Sequence, residues 1–215
     1  TSSVVAIFGD NQDAQNVPHG MFDESHWNTT SRTDHQPYNY SKVLAEKAAW
    51  EIAKTQSRWD LVTINPSFVM GPSLAKESQS TSISTMKQMG DGTMRMGTPC
   101  LFTGVVDVRD VARAHILAGF TPAASGRYIT SAQTVTFLEM ANAIREKFPK
   151  YPLPRSEAPK MVVQALAPVF GLKREFVKKN MNFKLDFNNQ KSQRELALAY
   201  RPWKETLQTH LAQLA

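Results

Sequence analysis

Cysteine is nearly absent from this chain: Cys100 is the only one in 215 residues. One thiol can form neither an intramolecular disulfide nor a thiolate-rich metal site. A reducing compartment, the cytoplasm, is therefore expected, and a bound metal is not. Long apolar runs are missing too. No stretch approaches 18 apolar residues, which excludes a transmembrane helix. The first residues show no signal-peptide pattern, and there are no internal repeats or low-complexity tracts. A hydrophobic content of 41% and a charged content of 20% fit a globular protein. The length allows one large domain or a core with a subdomain.

Acidic residues are scarce in one part only. Residues 141–215 hold 14 Lys and Arg against 6 Asp and Glu, whereas residues 1–140 hold 11 against 13. A basic half can attract phosphate or carboxylate groups. No nucleic-acid motif or aromatic-basic stacking pattern accompanies it, so no nucleic-acid partner is expected.

Thr1 to Phe8 reads as the end of a buried strand passing into a loop. Because termini usually lie at the surface, this opening predicts further sequence upstream. Residues 9–37, punctuated by Gly9, Pro18, Gly20 and Pro37, read as a long loop. From Tyr38 to about Lys54 there is no Gly or Pro, and Val43, Leu44, Ala48, Ile52 and Ala53 give helical spacing. Leu61 to Asn65 is a β-branched run ended by Pro66, hence a buried strand. A helix is expected over about Thr81 to Met89, and loop or short strand from Gly90 to Gly104. A strand follows at 105–108, then a helix to about Phe120 capped by Asp110, then a strand at 126–130. Thr136 with Glu139 forms a capping box for a helix to about Phe148. Further helices are expected near 160–170, 173–180, 189–199 and 203–214. Strands alternate with helices early and helices dominate late. That order predicts an α/β fold: a parallel sheet wrapped by helices, plus a mostly helical subdomain. Ligands of such sheets bind beyond the carboxyl ends of the strands.

Tyr38-Asn39-Tyr40-Ser41-Lys42 contains Tyr-x-x-x-Lys, which puts both side chains on one helix face. An ammonium beside a phenol favours the phenolate. Such a tyrosine can protonate a carbonyl oxygen that receives hydride. Ser2 and Ser3 end the first strand, and a hydroxyl there could hydrogen-bond the developing oxyanion. Pro66 and Gly71 would stop the next strand and let backbone approach a flat ring.

Together, Thr1-Ser2-Ser3, Tyr38-x-x-Ser41-Lys42 running into Leu44 to Glu51, Asn65-Pro66-x-x-Val69-x-Gly71-Pro72 and the run from Val106 to His115 resemble extended short-chain dehydrogenases/reductases. More narrowly, they resemble the branch of dihydroflavonol reductases, cinnamoyl-CoA reductases and microbial aldehyde or methylglyoxal reductases. The resemblance implies the later part of a doubly wound parallel (Rossmann) sheet. Residues 1–73 would carry the catalytic helix. Residues 74–215 would form mainly a helical substrate subdomain, with 104–131 returning to the core. It implies Tyr38 as proton donor, Lys42 also holding the nicotinamide ribose, and Ser3 holding the substrate carbonyl, with Ser2 as fallback. Pro66, Phe68 and Val69 would touch the nicotinamide and ribose. NADP is the implied cofactor, with NAD the other choice, and a small-molecule carbonyl the implied substrate. Asp107, Arg109, Asp110 and His115 are expected to be structural.

The sequence departs from that family in one large respect: none of its ten glycines form the phosphate loop of the first βαβ half. That half is expected to be missing, and the 215 residues alone are expected to bind NADPH poorly. Two alternatives stay open: a nucleotide-sugar epimerase or dehydratase of the same superfamily, and a relative that senses dinucleotide without turnover.

Overall fold

The computed structural model describes residues 1–74 and 80–214. Residues 1–8, expected to be the end of a strand, form no strand but a 3-10 turn at Val4–Ala6, because their only ladder contact among the described residues is Ser2 N on the Ile64 carbonyl. The segment 9–37, expected to be loop, contains 3-10 turns at Asn11–Asn16 and Pro18–Gly20, then a two-residue strand β1 (Met21–Phe22). Helix α1 (Pro37–Lys54) follows. Its Pro37 sits in the first turn, where proline fixes a helical φ and its missing N–H leaves no hydrogen bond unmade. Strand β2 (Val62–Pro66) runs through Pro66 instead of stopping before it, and β3 (Phe68–Met70) takes up what reads in sequence as loop. Then come α2 (Thr81–Gly90), β4 (Phe102–Asp107), α3 (Val108–Phe120), β5 (Gly126–Thr130) and β6 (Gln133–Thr136). The helical part comprises α4 (Phe137–Arg145), α5 (Lys160–Leu166), α6 (Arg174–Asn180), α7 (Gln190–Leu196) and α8 (Trp203–Leu214), with β7 (Asp186–Phe187) between α6 and α7.

Strands β2 and β5 pair in parallel from Val62 opposite Gly126 to Pro66 opposite Thr130. Strand β3 pairs in parallel with β4, which pairs antiparallel with β6. Strand β1 pairs with β7, so the early loop is tied to the late helical part. Parallel pairs need crossovers of a dozen or more residues. The β2-to-β5 crossover here contains α2, β4 and α3, with α3 packed back on β2.

Three apolar clusters hold these layers. Val105, Met70 and Val135 meet Met140, Ile144, Leu207 and Leu211, joining the β3–β4–β6 sheet to α4 and α8. Ile64 and Tyr128 meet Ala114, Leu196 and Leu198, joining β2 and β5 to α3 and α7. Val4, Ile7, Phe22, Ile129, Leu185 and Phe187 fasten the first residues to the sheet. Each such large side chain contributes about 1.5–3 kcal/mol on burial.

Other boundaries also differ from the sequence reading: β4 begins at Phe102 and ends at Asp107, α5 ends at Leu166 and α7 at Leu196. Asp107, not Asp110, caps α3: its side chain accepts from Arg109 N. Asp110 falls inside the first turn, fully buried, where it pairs with Arg201. Helix α4 keeps its Thr136–Glu139 capping box but ends at Arg145.

Candidate active site

Helix α1 starts in a strained way. Gln36, its N-cap residue, is left-handed at φ 56° and ψ 56°, a conformation unfavourable for a residue with Cβ. The strain is held by part-buried hydrogen bonds. The Gln36 amide donates to the Gly9 carbonyl at 2.9 Å and to Asp10 Oδ1 at 2.7 Å, and accepts from Asn39 Nδ2 at 2.7 Å. Asp10 is fully buried. It also accepts from Asn180 Nδ2 at 2.7 Å, and its Oδ2 lies 2.8 Å from His35 Nε2. One carboxylate therefore ties the 9–11 loop, the root of α1 and α6 together. None of these contacts is readable as a sequence motif.

Tyr38 emerges from that anchored turn into solvent, 62% exposed. Lys42 is half-buried one turn later, and its Nζ lies 6.0 Å from the centre of the Tyr38 ring. The two side chains thus share one helix face, as the spacing required.

The two serines part company. Ser2 N donates to the Ile64 carbonyl at 2.8 Å, alongside β2. The Ser2 hydroxyl donates to the buried Glu46 carboxylate. Ser3 is extended (φ −163°, ψ 156°) and caps the 3-10 turn Val4–Ala6, which packs against α1. Its Oγ accepts from Val5 N at 3.3 Å and donates to the Pro66 carbonyl at 3.4 Å. Both are long, weak bonds, so the Ser3 hydroxyl is the less committed of the two. Ser3 and Pro66 are therefore brought together at the carboxyl end of β2.

Beyond Pro66 the chain enters β3. Phe68 and Val69 are half-buried, Val69 lies opposite Val106, and Phe68 packs partly against the large apolar core. Gly71 turns the chain at φ 115°, and a Cβ there would meet Val108 Cγ1 at 3.3 Å. Its N–H donates to His210 Nδ1 at 3.1 Å. Burial holds the His210 imidazole below the ordinary value of 6.5, against the pull of the Asp107 charge. At the end of β2, where Ser67 N donates to the Thr130 carbonyl, the buried hydroxyls of Ser67 and Thr130 have no partner among the described residues.

A buried ion pair escaped the sequence reading. Glu46 Oε1 accepts from Arg127 Nε at 2.6 Å, with both side chains almost wholly buried. Asn65 Nδ2 also donates to Glu46 at 2.8 Å, and Trp27 stacks on the guanidinium with 4.0 Å from Cζ to the ring centre. Burial pushes the Glu46 carboxyl up. The hydrogen bonds from Arg127 and Ser2, with the Arg127 charge and the Asn65 amide, bring it below the usual carboxylate range. Glu46 stood in the sequence only as part of the Leu44 to Glu51 run.

The residues expected to be structural are satisfied locally. Arg109 forms a two-pronged pair with Asp107, at 2.8 and 2.7 Å. Asp107 also accepts from Thr206 at 2.8 Å. His115 Nδ1 donates to the Val111 carbonyl at 2.8 Å, and its Nε2 meets the Thr1 hydroxyl at 2.6 Å. Burial and the neighbouring Glu157 push the Cys100 thiol up to about 11, far from a reactive thiolate. Among the described residues no cluster of His, Cys, Asp and Glu could hold a metal ion, and no helix is long and apolar enough to cross a membrane.

Comparisons with known proteins bear on the family and the fold. The profile of the 3-beta hydroxysteroid dehydrogenase/isomerase family matches residues 1–123. Cinnamoyl-CoA reductase 1 of Arabidopsis thaliana is 36% identical over 156 residues, which cover 72% of this chain and 44% of that protein. Anthocyanidin reductase of the same plant is 35% identical, over 70% of this chain and 46% of its own length. The chain thus spans about half the length of the curated relatives it matches. The yeast methylglyoxal/isovaleraldehyde reductase Gre2, solved as a complex with NADPH, superposes with a TM-score of 0.72. It is 26% identical, over 99% of this chain and 61% of Gre2. The shared architecture is a Rossmann-like α/β fold.

Proposed function

The chain belongs to the 3-beta hydroxysteroid dehydrogenase/isomerase family, among the extended short-chain dehydrogenases/reductases, and from that premise we propose that the protein reduces a small aldehyde or ketone to an alcohol with NADPH. One observation carries the reading: Tyr38 and Lys42 share an exposed helix face rooted beside the segment that brings Ser3 to Pro66. The likeness to cinnamoyl-CoA reductase, anthocyanidin reductase and the NADPH-bound Gre2 supports it.

The residues present fit the nicotinamide end of the cofactor. Lys42 would hold its ribose with Tyr38. Pro66, Phe68 and Val69 would face the ring, where β2 ends and two buried hydroxyls, Ser67 and Thr130, lack partners among the described residues. No glycine loop for the pyrophosphate occurs among the chain's ten glycines. NADPH, when bound, supplies the hydride. The Ser3 hydroxyl would donate to the substrate carbonyl oxygen and stabilise the negative charge that develops there. Tyr38 would then give that oxygen its phenolic proton, with the Lys42 ammonium stabilising the phenolate left behind. Ser2 has no part in this scheme, because its hydroxyl is given to Glu46. A reducing compartment, the cytoplasm, is the proposed location, in keeping with the single cysteine of the sequence.

The test is NADPH oxidation by the protein as its gene encodes it, assayed with aldehydes and ketones and, separately, with UDP-sugars. Turnover of carbonyls is expected. Turnover of UDP-sugars alone would assign the site to epimerase or dehydratase chemistry, and cofactor binding without any turnover would assign it to sensing.

A further inference from the structure

The basic character of residues 141–215 is not used by the site around Tyr38. Part of it gathers at a cavity of about 580 Å³ lined by Arg95, Lys150, Tyr151, Arg155 and three neighbours, Pro149, Pro152 and Leu153. The cavity shares no residue with the candidate active site. We infer that it binds the phosphoryl groups of a small phosphate-bearing molecule.

Three features argue for this. First, the lining contains three cations and no carboxylate. Among the described residues none of the three side chains has an ion pair or hydrogen bond. The nearest acids along the chain are engaged elsewhere: Asp91 accepts from Thr93 N at 2.8 Å, Glu146 pairs with Lys204 at 2.7 Å, and Glu157 hydrogen-bonds the Cys100 thiol. Three like charges around one concavity raise a positive potential that an external anion would neutralise.

Second, the charges are held by a rigid frame. The loop bearing Arg95 and the loop bearing Arg155 are hydrogen-bonded to each other: Thr98 N donates to the Ser156 carbonyl at 3.1 Å, and Ala158 N to the Thr98 carbonyl at 2.8 Å. Arg145 donates to the carbonyls of Leu153 and Pro154, fixing the approach to Arg155. Gly92, at φ 92°, lets the Arg95 loop close on Pro152, whose Cγ would stand 3.2 Å from a Cβ at that position. A solvated charge run needs no such frame, whereas a binding site gains from one, because less ordering is left to be done on binding.

Third, size and chemistry agree. The volume lies within the range of about 300–1,000 Å³ typical of small-molecule sites. Two guanidinium forks match phosphoryl oxygens in pairs, and three positive charges suit a multiply charged anion better than a single carboxylate.

Calorimetric titration of the protein with inorganic pyrophosphate at low ionic strength tests this. Saturable binding that weakens with added sodium chloride is expected, with no comparable binding of acetate. The variant R95S/K150S/R155S should bind pyrophosphate at least about tenfold more weakly. Its three side chains are exposed, so its melting temperature should match the wild type. The single variant R155E gives the same direction should the triple variant prove unstable. The variant R174S/K178S alters a separate cavity of about 530 Å³ and should leave binding unchanged. No saturable binding at about 10 mM pyrophosphate, binding undiminished in the triple variant, or loss only in R174S/K178S would each overturn the proposal.

Discussion

Helix α1 contains two regions of opposite design. At its start Tyr38 stands 62% exposed, and its ring has Lys42 Nζ 6.0 Å from its centre. Two turns later Glu46 is buried and saturated by Arg127, Ser2 and Asn65, with Thr63 and Trp50 at the edge of hydrogen-bonding distance. One end is open to solvent, while the other is closed on itself. Chemistry and stability should therefore come apart along a single helix, and substitutions can separate them.

The largest effect on stability is expected at the closed end. Glu46→Gln leaves the Arg127 guanidinium buried without its counter-charge and should cost about 3–5 kcal/mol in urea unfolding. A cost under about 1 kcal/mol, of the size of a solvated pair, would break the comparison. Asp107→Ala removes the cap of α3, the partner of Arg109 and the acceptor of the Thr206 hydroxyl. About 2 kcal/mol is expected by the same measurement.

His210 gives a pH-dependent effect. Its folded pKa is depressed by burial, so the unfolded chain takes up its proton first as pH falls. The contribution of His210 is complete above its unfolded value of about 6.5 and declines as pH falls from there towards the folded value. The slope is at most about 1.4 kcal/mol per pH unit. In His210→Asn, which keeps an acceptor for Gly71 N, unfolding free energies between pH 7 and pH 5 should lose that slope. An unchanged slope would assign the pH dependence to other groups. Smaller again is Thr136→Ala, which opens the capping box of α4 and should cost about 1 kcal/mol.

Much of the fold was readable because its signals are local. The Pro37-to-Lys54 helix, the Thr136–Glu139 box and the β-branched run of β2 each follow from neighbours in sequence. Strands β1 and β7 were not readable, since two residues carry no periodicity and exist only by pairing across the chain. Asp107 displaced Asp110 as the cap of α3 because the partner of Asp110, Arg201, lies 91 residues away. At the candidate site the Tyr38–Lys42 spacing was legible. Its supports were not: the Asp10 hub joins positions up to 170 residues apart, and the bond that commits the hydroxyl of Ser2, the fallback to Ser3, to Glu46 spans 44 residues.

The open end of α1 should behave in the reverse way from the closed end. In the protein as its gene encodes it, Tyr38→Phe removes one exposed hydroxyl and should change stability by less than about 0.5 kcal/mol. Carbonyl reduction should nevertheless fall by about 10²–10⁴-fold, with NADPH affinity little changed. Measuring single-turnover NADPH oxidation by the wild type and by Tyr38→Phe, with cofactor binding measured alongside, addresses the central claim directly. A large loss of rate at preserved affinity is the expected result. Carbonyl reduction by Tyr38→Phe at the wild-type rate would contradict it.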